Sequence, residues 1–263
     1  MYNEHTMSAG SNESLIPLKS YKKLAAGKGR MEMSAFLVEG KRAVNHILQG
    51  FPDRVVEVLI TEGSRPPCGN FRIRFLTDKQ LQSISELETH QGMMAVVRLP
   101  VETYSGQLPR NPGRKILLLE DVQDPGNSGT LIRTAAAFNF DGIIMSPGCA
   151  DPFSPKCVQA TAGCVLSLWI RRSGSYFEIA QELRRAGFSL VAADMTGAAD
   201  TAVLRNCSKL VLALGNEARG LSRSVLEISD IRLQIPIHRG KAESLNVASC
   251  GAICMYLSSN AEA

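Results

Sequence analysis

Five polar side chains with chemical potential fall in three short blocks of the second half of this 263-residue chain. The first block, Asp121-Val122-Gln123-Asp124-Pro125-Gly126-Asn127-Ser128-Gly129-Thr130-Leu131-Ile132-Arg133-Thr134-Ala135, carries Asn127 and Arg133. The second, Leu214-Gly215-Asn216-Glu217-Ala218-Arg219-Gly220-Leu221-Ser222, carries Glu217. The third is Ile235-Pro236-Ile237 followed by Glu243-Ser244-Leu245-Asn246-Val247-Ala248, with Ser244 and Asn246. Asp-Pro-Gly-Asn is turn chemistry that leads from a strand into a helix, with Asn127 a natural N-cap. Arg133 follows about one and two-thirds helical turns later. Its guanidinium is in effect never deprotonated, so it suits a phosphate clamp and a developing oxyanion better than proton abstraction. Gly215 permits close approach of backbone to a ligand, and Ser222 can cap the next helix. Glu217 is placed to orient Asn127 or Arg133, or to stabilise the bent loop. Ser244 and Asn246 serve either as polar contacts to a ligand or as caps of the last helix. Loops beyond the carboxyl ends of strands are where open α/β sheets bind ligands.

The three blocks, in this order, resemble the signature motifs of the SpoU (TrmH-like) RNA ribose 2′-O-methyltransferases, in the SPOUT superfamily. The resemblance covers residues 115–258 strongly and 30–100 more loosely. It implies an α/β fold: a C-terminal methyltransferase domain containing a trefoil knot, preceded by a small α/β substrate-binding domain similar to a ribosomal RNA-binding protein. It implies S-adenosylmethionine as cofactor, RNA as substrate and a homodimer joined through the C-terminal domain. Carried over residue by residue, Asn127, Arg133, Glu217, Ser244 and Asn246 are the catalytic candidates. Leu214, Gly215, Asn216, Ile235 and Leu245 are the cofactor candidates, with Ile235 and Leu245 flanking an adenine. Family members commonly have Gly where this chain has Ala218, which bears on the flexibility of that loop. Ribose methylation requires a held sulfonium donor, an aimed 2′-hydroxyl and stabilisation of charge on that oxygen. A full N-terminal domain favours ribosomal RNA over tRNA. The rival reading is a catalytically silent RNA-binding or ribosome-assembly protein, which would need none of the five polar residues together.

The elements that must position these residues read as strands alternating with helices. A basic helix is expected over 18–30, a strand over 35–38, a helix over 39–49 and strands over 55–60 and 71–76. A Thr77-capped helix runs to Ile84, and a strand covers 93–98. Residues 103–114 are rich in Pro, Gly and polar residues and read as a linker. The chain then divides into a disordered tail (1–17), an RNA-binding domain (18–102), the linker (103–114) and a methyltransferase domain (115–263). In the last, buried strands are expected over 116–119, 142–146, 188–193, 209–214 and 231–235, with helices over 127–138, 155–166 and 244–258. A chain shortened to start near Arg114 is expected to fold alone.

Composition narrows the alternatives. Hydrophobic residues make up 44% of the chain, enough for a sizeable core. No run of about 18 apolar residues suggests a membrane helix, and Met1 to Ser14 lack the apolar core of a secretory signal. Seven cysteines, an odd number without Cys-x-x-Cys, favour neither a disulfide framework nor zinc. A reducing cytoplasm fits, and the four scattered histidines suggest no metal. The net charge is only +4, yet Lys19, Lys22, Lys23, Lys28 and Arg30 form a basic cluster that reads as an electrostatic footprint for nucleic acid or as a solvated helix face. No Gly-x-Gly-x-x-Gly follows a first strand and no Gly-x-Ser-x-Gly elbow is present, which disfavours Rossmann enzymes and α/β-hydrolases.

Overall fold

The computed structural model describes residues 16–197, 200–238 and 240–259. All but the last two residues of the expected tail lie outside these ranges. The N-terminal unit contains α1 (Leu18–Tyr21), α2 (Gly27–Met33), β1 (Ala35–Glu39), α3 (Lys41–Gly50), β2 (Val55–Thr61), β3 (Ile73–Leu76), α4 (Asp78–Gln82) and β4 (Met93–Arg98). Its sheet has the order β1-β4-β2-β3, antiparallel except for the β2–β3 pair. One face packs on Val44, Ile47 and Leu48 of α3, the other on Tyr21, Leu24 and Leu81. Thr77 caps α4 in a reciprocal capping box with Gln80.

The basic helix expected over 18–30 is broken. Ala26 is extended (φ −94, ψ 143), and α2 folds back so closely that a Cβ on Gly29 would lie 1.9 Å from the Lys23 carbonyl oxygen. Only glycine fits there. Arg30 therefore leaves the basic footprint. It is 3% exposed, donates to the carbonyls of Leu24 and Ala25 at 2.8 Å each and pairs with Asp151 at 2.5 Å. Lys19, Lys22, Lys23 and Lys28 stay exposed.

The C-terminal unit holds β5 (Lys115–Leu119), α5 (Pro125–Ala137), β6 (Gly142–Met145), α6 (Pro155–Thr161), β7 (Trp169–Arg172), α7 (Tyr176–Arg185), β8 (Ser189–Ala193), α8 (Val203–Asn206), β9 (Leu210–Leu214), α9 (Arg223–Ile228), β10 (Ile231–Leu233) and α10 (Val247–Ser258). Its six strands are all parallel in the order β10-β8-β9-β5-β6-β7. Residues 116–119 and all of β9 are buried, as continuous apolar runs in a sheet covered on both faces should be. From β5 the chain builds outward through β6 and β7, then returns to β8 on the far side of β9. The switch point lies between β5 and β9, and ligands collect at such points.

Several expected boundaries shift. The strand expected over 71–76 starts at Ile73, and that over 231–235 stops at Leu233. The helix expected over 155–166 ends at Thr161, because Ala162 and Gly163 both take left-handed backbone. The last helix begins at Val247, not 244. Neither β7 nor α7 is among the expected elements. β7 is an edge strand with two arginines whose guanidiniums are satisfied by backbone carbonyls of Gln107, Pro147 and Cys149, so it carries no apolar run. In α7, Ile179, Ala180 and Leu183 are buried at a helical spacing that could have revealed it.

The two units share one core. The rings of Phe36 and Phe153 sit 4.8 Å apart across the junction, and Gly163 packs directly on the Ala43 carbonyl of α3. The expected linker is also tied down. Thr103 is buried, the Pro112 carbonyl accepts from Trp169 Nε1 at 3.1 Å, and Asp141 accepts the Arg114 N–H at 2.6 Å. Starting the chain near Arg114 would uncover Phe153 and its neighbours, which argues against an independently folding C-terminal half. The Arg30–Asp151 pair crosses the same junction. Arg30→Met should fill similar volume yet free the Leu24 and Ala25 carbonyls and leave Asp151 without its cation, with only the Phe153 N–H at 2.9 Å and the Tyr104 hydroxyl at 3.5 Å. We expect a loss of about 3 kcal/mol, read as a lower midpoint in urea denaturation.

Candidate active site at the switch point

The first block leaves β5 through Asp121, whose φ of 55 is left-handed. Ser146 stabilises that turn: its Oγ accepts the Asp121 N–H at 2.9 Å and donates to Asp121 Oδ1 at 2.6 Å. The N-cap of α5 is Asp124, not Asn127. Its carboxylate accepts the Asn127 N–H at 2.8 Å, and Pro125 takes the first helical position, where a missing N–H costs nothing. That backbone bond holds the Asp124 carboxyl below the usual carboxylate range, and Lys156 at 3.4 Å adds to the effect. With Asp124 as the cap, the Asn127 side chain is free for other work.

In the second block Gly215 has a use besides close approach to a ligand. A Cβ there would lie 2.2 Å from the carbonyl carbon of Gly220 and 2.3 Å from the Leu221 nitrogen. The loop closes on itself at Gly215, and any side chain would open it. Asn216 and Gly220 exchange backbone hydrogen bonds at 3.0 and 2.9 Å. The Asn216 side chain is also committed: it accepts from the Ala218 and Arg219 N–H groups and donates to the Asp121 carbonyl at 2.8 Å. It thereby ties the second block to the first across the switch point. Ser222 caps α9 as expected.

In the third block Asn246 caps α10, accepting from the N–H groups of Ala248 and Ser249. Its amide also donates to Asn127 Oδ1 at 3.1 Å, while Asn127 Nδ2 donates to Glu217 Oε1 at 3.0 Å. Glu217 therefore contacts Asn127 and not Arg133, with the N–H groups of Gln123 and Asp124 at 3.5 Å beside it. One chain of side-chain hydrogen bonds, Asn246–Asn127–Glu217, thus joins all three blocks.

Beside this chain lies a cavity of about 460 Å³, within the range that small ligands occupy. Leu214, Gly215, Asn216, Glu217, Ile235, Ser244 and Leu245 all line it, so every cofactor candidate and two catalytic candidates meet there. Asn127 and Asn246 sit at its edge through Glu217. Arg133 does not line it. It is exposed and makes no hydrogen bond or ion pair among the described residues. Six residues of helix turn it about 240° from Asn127. Sequence reasoning missed Asp194 and Met195, which line the cavity from the end of β8, and Gln234, which donates to the Met195 carbonyl at 2.6 Å. Their signal was position: β8 neighbours β9, and its carboxyl end opens on the same switch point. Asp194, Glu217 and Glu243 give the cavity three carboxylates against one guanidinium, Arg219, a balance suited to a ligand with cationic groups, while Leu214, Leu233, Ile235 and Leu245 form apolar walls suited to an aromatic ring. Among the described residues no cluster of His, Cys, Asp and Glu suits a metal ion.

Residues 114–256, more than half of the chain, match the SpoU rRNA Methylase family model. The chain belongs to this family. Residues 37–102 match the RNA 2′-O ribose methyltransferase substrate-binding model, so the N-terminal unit is the family's substrate-binding module. The chain is 32% identical over 244 residues to the Bacillus subtilis 23S rRNA (guanosine(2553)-2′-O)-methyltransferase RlmP, covering 91% of this chain and 94% of that one. Among solved structures it resembles the SpoU methyltransferase AviRb from Streptomyces viridochromogenes in complex with AdoMet. That pair has a TM-score of 0.79 and 26% identity, with 92% of this chain and 96% of the other covered. An AdoMet-bound rRNA methyltransferase from Sinorhizobium meliloti matches with a TM-score of 0.76 and 26% identity over 92% and 93% of the two chains. The family uses S-adenosylmethionine, and the cavity fits it, with apolar walls for the adenine and carboxylates for the cationic groups.

Proposed function

We propose that this family member transfers the methyl group of S-adenosylmethionine to a ribose 2′-hydroxyl of ribosomal RNA, in the large-subunit RNA. The observation that carries the reading is the Asn246–Asn127–Glu217 chain at the edge of the 460 Å³ cavity. A protein that only gripped RNA would not need three separate segments joined by oriented side chains beside a cavity for a small ligand. The names of RlmP and of a 23S rRNA (uridine(2479)-2′-O)-methyltransferase from Streptomyces viridochromogenes, together with the substrate-binding module, favour rRNA over tRNA.

In this reading Leu214, Gly215, Asn216, Ile235 and Leu245 form the donor cavity, the glycine and asparagine by shaping its loop. Glu217 and Asn246 orient Asn127 toward the incoming ribose, and Ser244 contacts the ribose or donor. Arg133 clamps a phosphate and stabilises charge on the 2′-oxygen. Since Arg133 does not reach the cavity of its own chain, the reading includes a homodimer in which two sites are completed together. Its C-terminal interface includes α10, a helix without charged residues that leaves Ile253 37% and Tyr256 64% exposed. The reading also includes the trefoil knot of the C-terminal domain and action in the cytoplasm, where the cysteines described, all free thiols, are at home. No described helix is long and apolar enough to cross a membrane.

The first test is donor binding. A ligand that binds only the native state stabilises it by about 2.7 kcal/mol at a hundred times its dissociation constant. Millimolar S-adenosylmethionine is therefore expected to raise the melting temperature by several degrees. An unchanged melting temperature in folded protein would favour the silent RNA-binding reading.

A further inference from the structure

We propose that Glu120, which lies just before the first block and outside every candidate set above, is a positioning residue for donor binding. It fixes the closing end of the 215–221 loop so that the loop can form a wall of the cavity. The inference rests on the reading of that cavity as the donor site.

Glu120 directly follows β5, and its side chain faces away from the cavity, into the layer that holds α7 and α9. It is 4% exposed. Its backbone N–H donates to the Leu214 carbonyl at 2.9 Å, level with the start of the loop. Its carboxylate reaches the other end: Oε2 accepts the Ser222 N–H at 2.6 Å, and Oε1 accepts the Tyr176 hydroxyl at 2.6 Å. The Tyr176 phenol is pushed well above its ordinary range, by burial first and by the Glu120 bond next. It stays protonated and remains a donor through the physiological range.

No lysine or arginine among the described residues pairs with Glu120. A buried carboxylate without a cation is costly. What it gains here is a charge-assisted bond to one backbone amide, stronger than a neutral acceptor would make. That amide sits at a sensitive point. Leu221, the preceding residue, is 8% exposed and lines the cavity, and the Gly220–Leu221 peptide packs on Gly215 without room for a methyl group. The loop is closed at its middle by the Asn216–Gly220 pair and at its end by Glu120. Releasing Ser222 lets the Leu221 wall move away from Gly215. Tyr176 fixes the carboxylate but does not touch the loop, so its role is secondary.

The test uses the full-length protein and its Glu120→Ala, Glu120→Gln and Tyr176→Phe variants. Two quantities are measured at low temperature, where the variants stay folded: S-adenosylmethionine affinity by calorimetry, and amide exchange of the 215–222 segment without donor. Glu120→Ala should weaken donor binding about tenfold or more, the loss of a charge-assisted hydrogen bond. Glu120→Gln, which keeps an acceptor of the same shape but loses the charge and sets its amide against one of the two donors, should weaken binding about threefold, between the parent and the alanine variant. Tyr176→Phe should stay within about twofold of the parent, since the Ser222 contact survives. Exchange of 215–222 should quicken in the same order. A purely structural role would lower the melting temperature of both Glu120 variants and leave donor affinity and loop exchange unchanged, which would overturn the proposal. So would a Tyr176→Phe loss as large as that of Glu120→Ala. If Glu120→Ala does not fold, the near-isosteric Gln variant decides by the same two readouts. If the parent protein binds no donor, the reading of the cavity fails, while the exchange data still decide whether Glu120 anchors the loop.

Discussion

Arg133→Ala is expected to reduce methyl transfer by about three orders of magnitude, the scale seen when one preorganised charge donor is removed from a developing oxyanion. Donor affinity should stay within a few fold. Arg133 is exposed, lines no part of the cavity and has no partner within the described chain. Nothing local is lost with its side chain, so folding and donor binding should survive. Arg133→Lys should fail nearly as badly, because a point charge on a flexible stem does not reproduce the planar fork. The measurement is single-turnover transfer of labelled methyl to RNA, with donor binding measured separately. Near-normal turnover by the lysine variant would defeat the clamp. If the site is shared between two copies, mixing Arg133→Ala chains with chains inactivated at Asn127 should restore part of the activity. That readout separates a trans contribution from one made within a single chain.

Asn127→Asp should also be strongly damaging, for a different reason. Asn127 Nδ2 donates to Glu217 at 3.0 Å and its Oδ1 accepts from Asn246 at 3.1 Å. An aspartate of the same shape keeps the second bond and replaces the first with two carboxylates face to face. Two such groups share one proton, and one of the pair titrates well above its ordinary value. The folded state then binds a proton that the unfolded state has already released. The variant's deficit is small below the ordinary carboxylate range and grows as pH rises through the raised value. Loss of orientation at this distance costs about a hundredfold in rate at neutral pH. Activity relative to the parent should therefore recover in part on acidification toward about pH 5. A relative activity that does not change with pH, or that falls on acidification, would contradict the Asn127–Glu217 contact.

Much of this site was legible in the sequence because its residues sit in short local patterns. Asp-Pro-Gly-Asn and the Ser222 and Asn246 positions carry turn and cap chemistry, and the apolar runs before Glu120 and Gly215 mark strands buried on both faces. What was not legible depends on contacts between distant segments. Asn127 read as the cap of α5, yet Asp124, three residues earlier, takes that place and releases Asn127 toward Glu217, ninety residues away. Gly215 read as a place where backbone approaches a ligand, and it lines the cavity; its second role, leaving room for the loop's own backbone, depends on a contact with Gly220 and Leu221. Arg30 read as part of a surface charge cluster, and its partner Asp151 lies in the other unit. β7 escaped because its arginines are satisfied by carbonyls of the linker and of the loop after β6, a solution that leaves no periodic trace. Asp194 and Met195 entered the cavity through sheet order alone, which the residues of β8 do not encode.

The central claim is that this chain methylates a ribose of ribosomal RNA. It is tested most directly by mass mapping of ribose methyl groups on ribosomal and transfer RNA from cells with and without the protein. The account expects one 2′-O-methyl group of the large-subunit rRNA to disappear without it. That group should return on expression of the parent chain and stay absent with Arg133→Ala. An unchanged set of ribose methyls would contradict the enzymatic reading. Loss confined to a tRNA would keep the reaction and contradict the substrate.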